Sequence, residues 1–266
     1  MNLLAFDTGT AFMSIAVCRT QGGQAQQWHH TTAGGAKAST DLIPAILDLM
    51  QQAGLRLQDL DAICFGSGPG SFTGLRTACS VAQGLAFGAG VPVLAVDSLL
   101  AVAEDARHTA LHAQTAGVVT ALLDARMEEM YCATFAFHNG QWNALSGSAL
   151  VQPEKLVRVA GPAPLQTPWL LAGNVFAVYG ERVAALDPTA ATAQRITALP
   201  TAAAMLRLAP ALLAAGKAVS AEHALPSYIR DKVAKTTAER MAEKTAVQAA
   251  AHSAAPALPQ AIDDRA

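Results

Sequence analysis

A chain of 266 residues, 52% hydrophobic and 14% charged, is long enough for one large domain or two small ones and apolar enough to bury a substantial core. A formal net charge of −2 offers phosphates no global attraction, so any service to RNA is expected to pass through a partner. The first apolar run is interrupted by Asp7, and the apolar stretch 201–219 carries Arg207, Pro210 and Lys217; both features argue against a signal peptide or membrane span and point to the cytoplasm.

In chain order, residues 3–6 and 14–19 read as a hairpin of period two, with Met13, Ile15 and Val17 alternating with Ser14, Ala16 and Cys18. Residues 24–31 supply a third strand. Over 41–52, Leu42, Ile43, Ile46, Leu47 and Met50 recur at helical spacing, and Gly54 stands where a helix commonly ends. A strand over 61–65, a Gly-rich corner, a helix over 73–88, a strand over 92–96 and a helix over 98–108 follow. This alternation implies parallel pairing with crossover helices.

Residues 105–116 read as a polar linker, with His108 and His112. Beyond it, strands over 118–123 and 130–137 flank an Asp124-Ala125-Arg126 turn, and a strand over 170–175 and a helix over 201–216 come next. Hairpin followed by strand–helix units thus occurs twice, which predicts an α/β duplication with subdomains at 1–108 and 109–234. The Ala- and Thr-rich segment 235–266 reads as an extension, partly helical and then disordered. Cys18, Cys64, Cys79 and Cys132 form no C-x-x-C pair and read as buried thiols in a reducing compartment.

The corner runs Gly66-Ser67-Gly68-Pro69-Gly70-Ser71-Phe72-Thr73-Gly74-Leu75-Arg76. Its glycines permit a tight turn, Ser71 or Thr73 is placed to cap the helix that follows, and the outward N–H groups suit an anion or the backbone of another protein. The corner matches neither the phosphate loop nor the dinucleotide fingerprint. Residues 68–76, together with Leu3-Leu4-Ala5-Phe6-Asp7-Thr8-Gly9-Thr10, the Asp124-Ala125-Arg126 segment and Glu222-His223-Ala224-Leu225-Pro226-Ser227-Tyr228-Ile229-Arg230, resemble the bacterial TsaB (YeaZ) family in order and over most of residues 1–230.

The resemblance implies a duplicated actin-like, sugar-kinase and Hsp70-like ATPase fold with mixed sheets. It also implies a non-catalytic subunit needed for N6-threonylcarbamoylation of adenosine 37 in tRNAs reading codons that begin with A. The partners it implies are TsaD, as a heterodimer, and the ATPase TsaE, with a homodimer when the chain is alone and tRNA met only through the complex.

In such a fold Asp7, Thr8, Gly9 and Thr10 occupy the first phosphate turn, where Gly9 lets amides approach a phosphate and Asp7 would hold a metal-bound water. As residues alone they also read as a plain hairpin turn. The second turn lacks a glycine and adds Arg126, so no cofactor of the chain's own is expected, with ATP or ADP bound at most at the complex interface. TsaD is known for a His-x-x-x-His metal pair that this chain lacks in the corresponding helix, Ala38 standing where relatives often show a histidine; His108 and His112 have that spacing but read as solvated residues of the polar linker. Ser71 is a nucleophile candidate without a histidine partner. No catalytic residue is therefore assigned.

The partner surface is expected on Leu42, Ile46 and Leu49 of one helix and Ala78, Ala82 and Phe87 of the next, with Gly70, Ser71, Thr73 and Arg76 of the corner and Arg126 of the second turn. Rival readings are a small-molecule kinase or acetate-kinase-like ATPase, and a peptidase. Mg-ATP binding by the isolated chain separates the kinase from the scaffold.

Overall fold

The computed structural model describes residues 1–110, 112, 114–159, 161, 169–184 and 193–230; the extension read at 235–266 lies outside them. The first half comprises β1 (Leu3–Asp7), β2 (Phe12–Gln21), β3 (Gln24–Ala33), α1 (Ala38–Ala53), β4 (Ala62–Gly68), α2 (Phe72–Ala89), β5 (Val93–Asp97) and α3 (Ser98–Ala110). The second comprises β6 (Ala116–Arg126), β7 (Glu129–His138), β8 (Gln141–Ala144), β9 (Ala149–Val151), β10 (Trp169–Gly173), α4 (Phe176–Ala184), β11 (Gln194–Thr197) and α5 (Ala202–Ala214).

The first sheet has the order β3-β2-β1-β4-β5 and the second β8-β7-β6-β10-β11, with β9 added to β7. In each, an antiparallel three-strand meander is extended by two parallel strands. The same order written twice is the duplicated α/β architecture with mixed sheets expected from the sequence.

Every residue of β1 is buried, so this central strand reads as a continuous apolar run rather than an alternating one. Leu4 and Phe6 pack with Leu42, Ile46 and Leu49 of α1 and Ala78, Ala82 and Ala86 of α2. Leu3 and Ala5, on the opposite face, pack with Ala202, Met205 and Leu206 of α5.

Helix α5 thus serves the first sheet although it follows the last strand of the second. Reciprocally, α3 follows the first sheet and covers the second, Leu99, Val102 and Ala106 packing with Val119, Phe135 and Leu170. This exchange explains why the polar run read as a linker continues α3 to Ala110: Asp105, within that run, and Glu104 before it are polar because they meet Arg207 of α5, not because the chain leaves the fold. Glu104 is 3% exposed and accepts hydrogen bonds from Arg107, from Arg207 of α5 at 2.7 Å, and from the Trp142 indole of β8 at 3.1 Å.

All four cysteines are free thiols, Cys132 half-buried and the others buried; burial pushes the Cys64 thiol up to about 12. No helix among the described residues is long and apolar enough to cross a membrane.

Candidate functional site

The Gly-rich corner leaves β4 at Gly68, whose φ of 118° lies in the region open to glycine, and passes through a cis Gly68–Pro69 bond into α2. Ser71 is the N-cap residue, but its hydroxyl makes no capping bond, and the Thr73 carbonyl accepts from the Thr77 hydroxyl instead. The cap expected from Ser71 is therefore absent. The backbone N–H of Ser71 is turned away from the helix and donates to Gly9 O at 2.7 Å.

That bond clamps the corner onto the first turn. Thr8 Oγ1 donates to Gly74 O at 2.7 Å. A Cβ on Gly70 would lie 2.7 Å from Gly9 O, one on Gly74 would lie 1.9 Å from Thr8 O, and one on Gly66 would lie 1.8 Å from Asp7 Oδ2. These glycines are required by close approach rather than by unusual dihedrals.

Asp7 and Thr8 are buried beneath this contact, while Thr10 is half-buried, its hydroxyl bonded to Phe12 of the same turn. Asp7 Oδ1 accepts from the Gly9 N–H at 2.8 Å and Oδ2 from the Ser98 hydroxyl at 3.3 Å. Burial outweighs these bonds and pushes its carboxyl up to about 7. A carboxyl enclosed in this way does not fit the role of holding a metal-bound water, which corrects the expectation for Asp7. Within the chain, the residues of the turn hold the corner in place.

The raised pKa makes the stability depend on pH. A carboxyl whose pKa rises from 3.8 to about 7 on folding contributes stability in acid that is lost as pH climbs from about 4 to about 7, because the native state binds the extra proton. The loss is on the order of 4 kcal/mol at most. Asp7→Asn should therefore raise the melting temperature relative to wild type more at pH 8 than at pH 5, and calorimetry at the two values checks it.

The segment 222–229 joins the corner. Ser227 N–H donates to Ser67 O at 2.7 Å, and Ala224 O accepts from Gln83 Nε2 at 2.9 Å. The Arg76 guanidinium stacks 3.7 Å from the Phe72 ring centroid and its Nε donates to the Tyr228 hydroxyl at 3.1 Å, with the Phe72 and Tyr228 rings 5.2 Å apart. Nothing in the local sequence links Arg76 to Tyr228, and their side-chain types were the only signal.

The second turn has its own closure. Asp124 Oδ1 accepts from the Arg126 N–H at 2.8 Å and from the Tyr179 hydroxyl at 3.2 Å, while the Arg126 guanidinium lies 3.2 Å from Oδ2. Arg126, Met127 and Glu128 have φ of 62°, 54° and 61°, so the tip is a tight left-handed turn built without glycine. Desolvation, followed by the neighbouring Asp124 charge, raises the Tyr179 hydroxyl's pKa.

The partner-surface residues divide. Leu42, Ile46, Leu49, Ala78 and Ala82 are at most 4% exposed and belong to the core beneath the first sheet. They are corrected as surface residues, because the stripe they form is the one that faces β1 and β4. The same helices expose Ile43 (43%), Leu47 (50%) and Phe87 (82%). Beside Phe87, Cβ atoms built on Gly84 and Gly88 meet nothing within 4 Å. Ser71, Thr73 and Arg76 are exposed, Gly70 is half-buried, and Arg126 is exposed on the second sheet's hairpin tip.

A family model described as "TsaD: tRNA N6-adenosine threonylcarbamoyltransferase" matches residues 24–238. The tRNA threonylcarbamoyladenosine biosynthesis protein TsaB of Escherichia coli K12 is 31% identical over 247 residues, covering 88% of this chain and 96% of that protein. The chain belongs to the TsaB family. The Haemophilus influenzae TsaB is 32% identical over 88% of the chain and 95% of its own length. The solved structure of YeaZ from Pseudomonas aeruginosa superposes with a TM-score of 0.72 at 35% identity, covering 85% of this chain and 99% of that one. In this TsaB-family chain the segments that carried the resemblance fold into two places: the first turn, the corner and 222–229 together, and the Asp124 turn by itself.

Proposed function

We propose that the chain is a non-catalytic, cytoplasmic subunit in the biosynthesis of N6-threonylcarbamoyladenosine at position 37 of tRNAs reading codons that begin with A, acting as the dimerisation and allosteric partner of a TsaD-type transferase and of TsaE. The TsaB relatives carry the name of that pathway. One observation carries the non-catalytic part: Asp7 is buried, and the Gly9 N–H, the donor a phosphate would need, is already given to Asp7 Oδ1 at 2.8 Å. Nucleotide, where it binds, then belongs to the interface of the complex, and tRNA is met only through the partner.

The exposed apolar residues of α1 and α2 support a helix-pair contact. The residues that test it are Leu47 and Phe87, not the buried stripe. Burial of one such side chain at an interface contributes about 2 kcal/mol, so a charge in its place should weaken association by tenfold or more. Leu47→Glu and Phe87→Glu should each abolish co-purification with the TsaD of the same source while leaving circular dichroism and melting temperature near wild type. Unaltered complexes for both variants would move the interface to Arg126 and the second half. A magnesium-dependent ATP turnover by the isolated chain, lost in Asp7→Ala, would favour the kinase reading.

A further inference from the structure

Helices α3 and α5 cross between the two halves, and one further stretch of chain crosses without being helix or strand. After α5 the chain pairs Val219 with Val93 of β5, each N–H donating to the other's carbonyl, at 2.9 and 2.8 Å. A turn of 3-10 helix, Ala221–His223, follows, and Ala221 and Ala224 are buried in the core beneath the first sheet. From Leu225 to Ile229 no regular element forms. This stretch leaves the first half at Ala224 and ends with Ile229 packed against the core of the second, the cluster that holds Leu99, Val119, Phe135 and Leu170.

Its starting point is fixed. Ala224 is 1% exposed, and its carbonyl accepts from Gln83 Nε2 at 2.9 Å and from the Cys79 thiol at 3.4 Å. Beyond it the chain lies on the surface: Leu225 is 69% and Tyr228 43% exposed, Ser227 is exposed, and Pro226 and Ile229 are half-buried. It is held by the Ser227 N–H on Ser67 O, by the Tyr228 ring and hydroxyl on Phe72 and Arg76, and by Ile229 on the second core. The approach to the corner is close, since a Cβ on Gly68 would lie 2.5 Å from Ser227 O. Gly68 therefore admits this stretch as well as turning the corner.

A segment with few buried apolar side chains opens at a free energy well below that of global unfolding. Here the contacts fall on both halves: Ser67, Phe72 and Arg76 belong to β4 and α2, while the neighbours of Ile229 belong to the second core. Swinging out from Ala224 breaks the tie between them. Neither the pairing within the two sheets nor the bonds of Glu104 to Arg107 and Arg207 involve residues 225–229.

We propose that residues 225–229 are a latch, hinged at Ala224, which fastens the Gly-rich corner to the second half when closed and opens as one unit while both sheets stay folded. Open, it uncovers the Ser67 carbonyl, the stack of Arg76 on Phe72 and the apolar surface beneath Ile229, and the halves remain joined through α3 and α5.

Residue-resolved hydrogen exchange of the full chain tests it, because the Ser227 amide reports whether the latch is shut. In wild type this amide should be protected, yet exchange about tenfold or more faster than the amides of β1 and β6. Ile229→Asp removes the anchor on the second half and Tyr228→Ala the anchor on Arg76 and Phe72. Each should speed Ser227 exchange by about tenfold or more and leave β1 and β6 unchanged. Tyr228→Phe, which keeps the ring against Phe72, should give a smaller increase at the same amide. In Tyr228→Ala the Ile229 methyl resonances should also move toward their random-coil positions, since the two anchors release together. The proposal is overturned if wild-type Ser227 is unprotected or exchanges as slowly as β1 and β6. It is overturned too if Ile229→Asp and Tyr228→Ala leave Ser227 unchanged or speed β1 and β6 equally, or if Ile229 keeps its native methyl resonances in Tyr228→Ala.

Discussion

Gly74→Ala is expected to destabilise the protein by at least about 3 kcal/mol, a fall of roughly 6–12 °C in melting temperature for a chain of this size. Its Cβ would sit 1.9 Å from Thr8 O, and both sides of that contact are backbone: Thr8 is held by its own bond to Gly74 O. Neither helix nor turn can yield without opening the other. Alanine's helix propensity offers up to about 1 kcal/mol in the opposite direction, too little to offset a clash of this depth. Gly84→Ala in the same helix meets nothing within 4 Å and should stabilise by up to about that propensity gain. Thermal unfolding of the two variants beside wild type should give opposite signs, and equal melting temperatures would mean that the corner and the first turn are not locked together.

Glu104→Ala is the second large effect, expected to cost about 3 kcal/mol, the lower end for breaking a buried ion pair because both arginine partners are partly solvated. Burial alone would raise this carboxyl's pKa, but the bonds from Arg107 and Arg207, with the Trp142 indole, outweigh it and hold it below the ordinary glutamate value. Its contribution is present above the unfolded pKa and is lost as pH falls through the folded one. Asp7 behaves in the reverse sense, so wild-type stability should peak in mildly acidic solution and decline on both sides. In Glu104→Ala the acid-side decline should flatten, and melting curves between pH 3 and pH 8 read it directly. An unchanged acid limb would show that the α3–α5 network does not couple to folding.

Much of the element pattern was legible in the sequence, since the signals that produce it are local. Glycine at 54 and 90 stops α1 and α2 in left-handed caps, period-two alternation marks β2, and the Gly-rich corner follows β4 because only small residues turn there. The short strands β8, β9 and β11 carried too few residues for a periodic signal and were not read.

What local physics cannot fix is which face of an element meets which surface. Helix α1 carries apolar residues on two adjoining stripes, Leu42-Ile46-Leu49 and Ile43-Leu47, and only the sheet beneath decides that the first is core and the second is exposed. The polarity of 105–116 reads as a linker in the sequence, and only the crossing of α5 to the first sheet puts Arg207 against Glu104 and Asp105. Asp7 has the same neighbours in sequence whether it faces a nucleotide or lies shut. Its burial depends on the corner 60 residues or so along the chain folding back onto Gly9, a contact set by tertiary closure and marked in the sequence only by glycines at 66, 70 and 74.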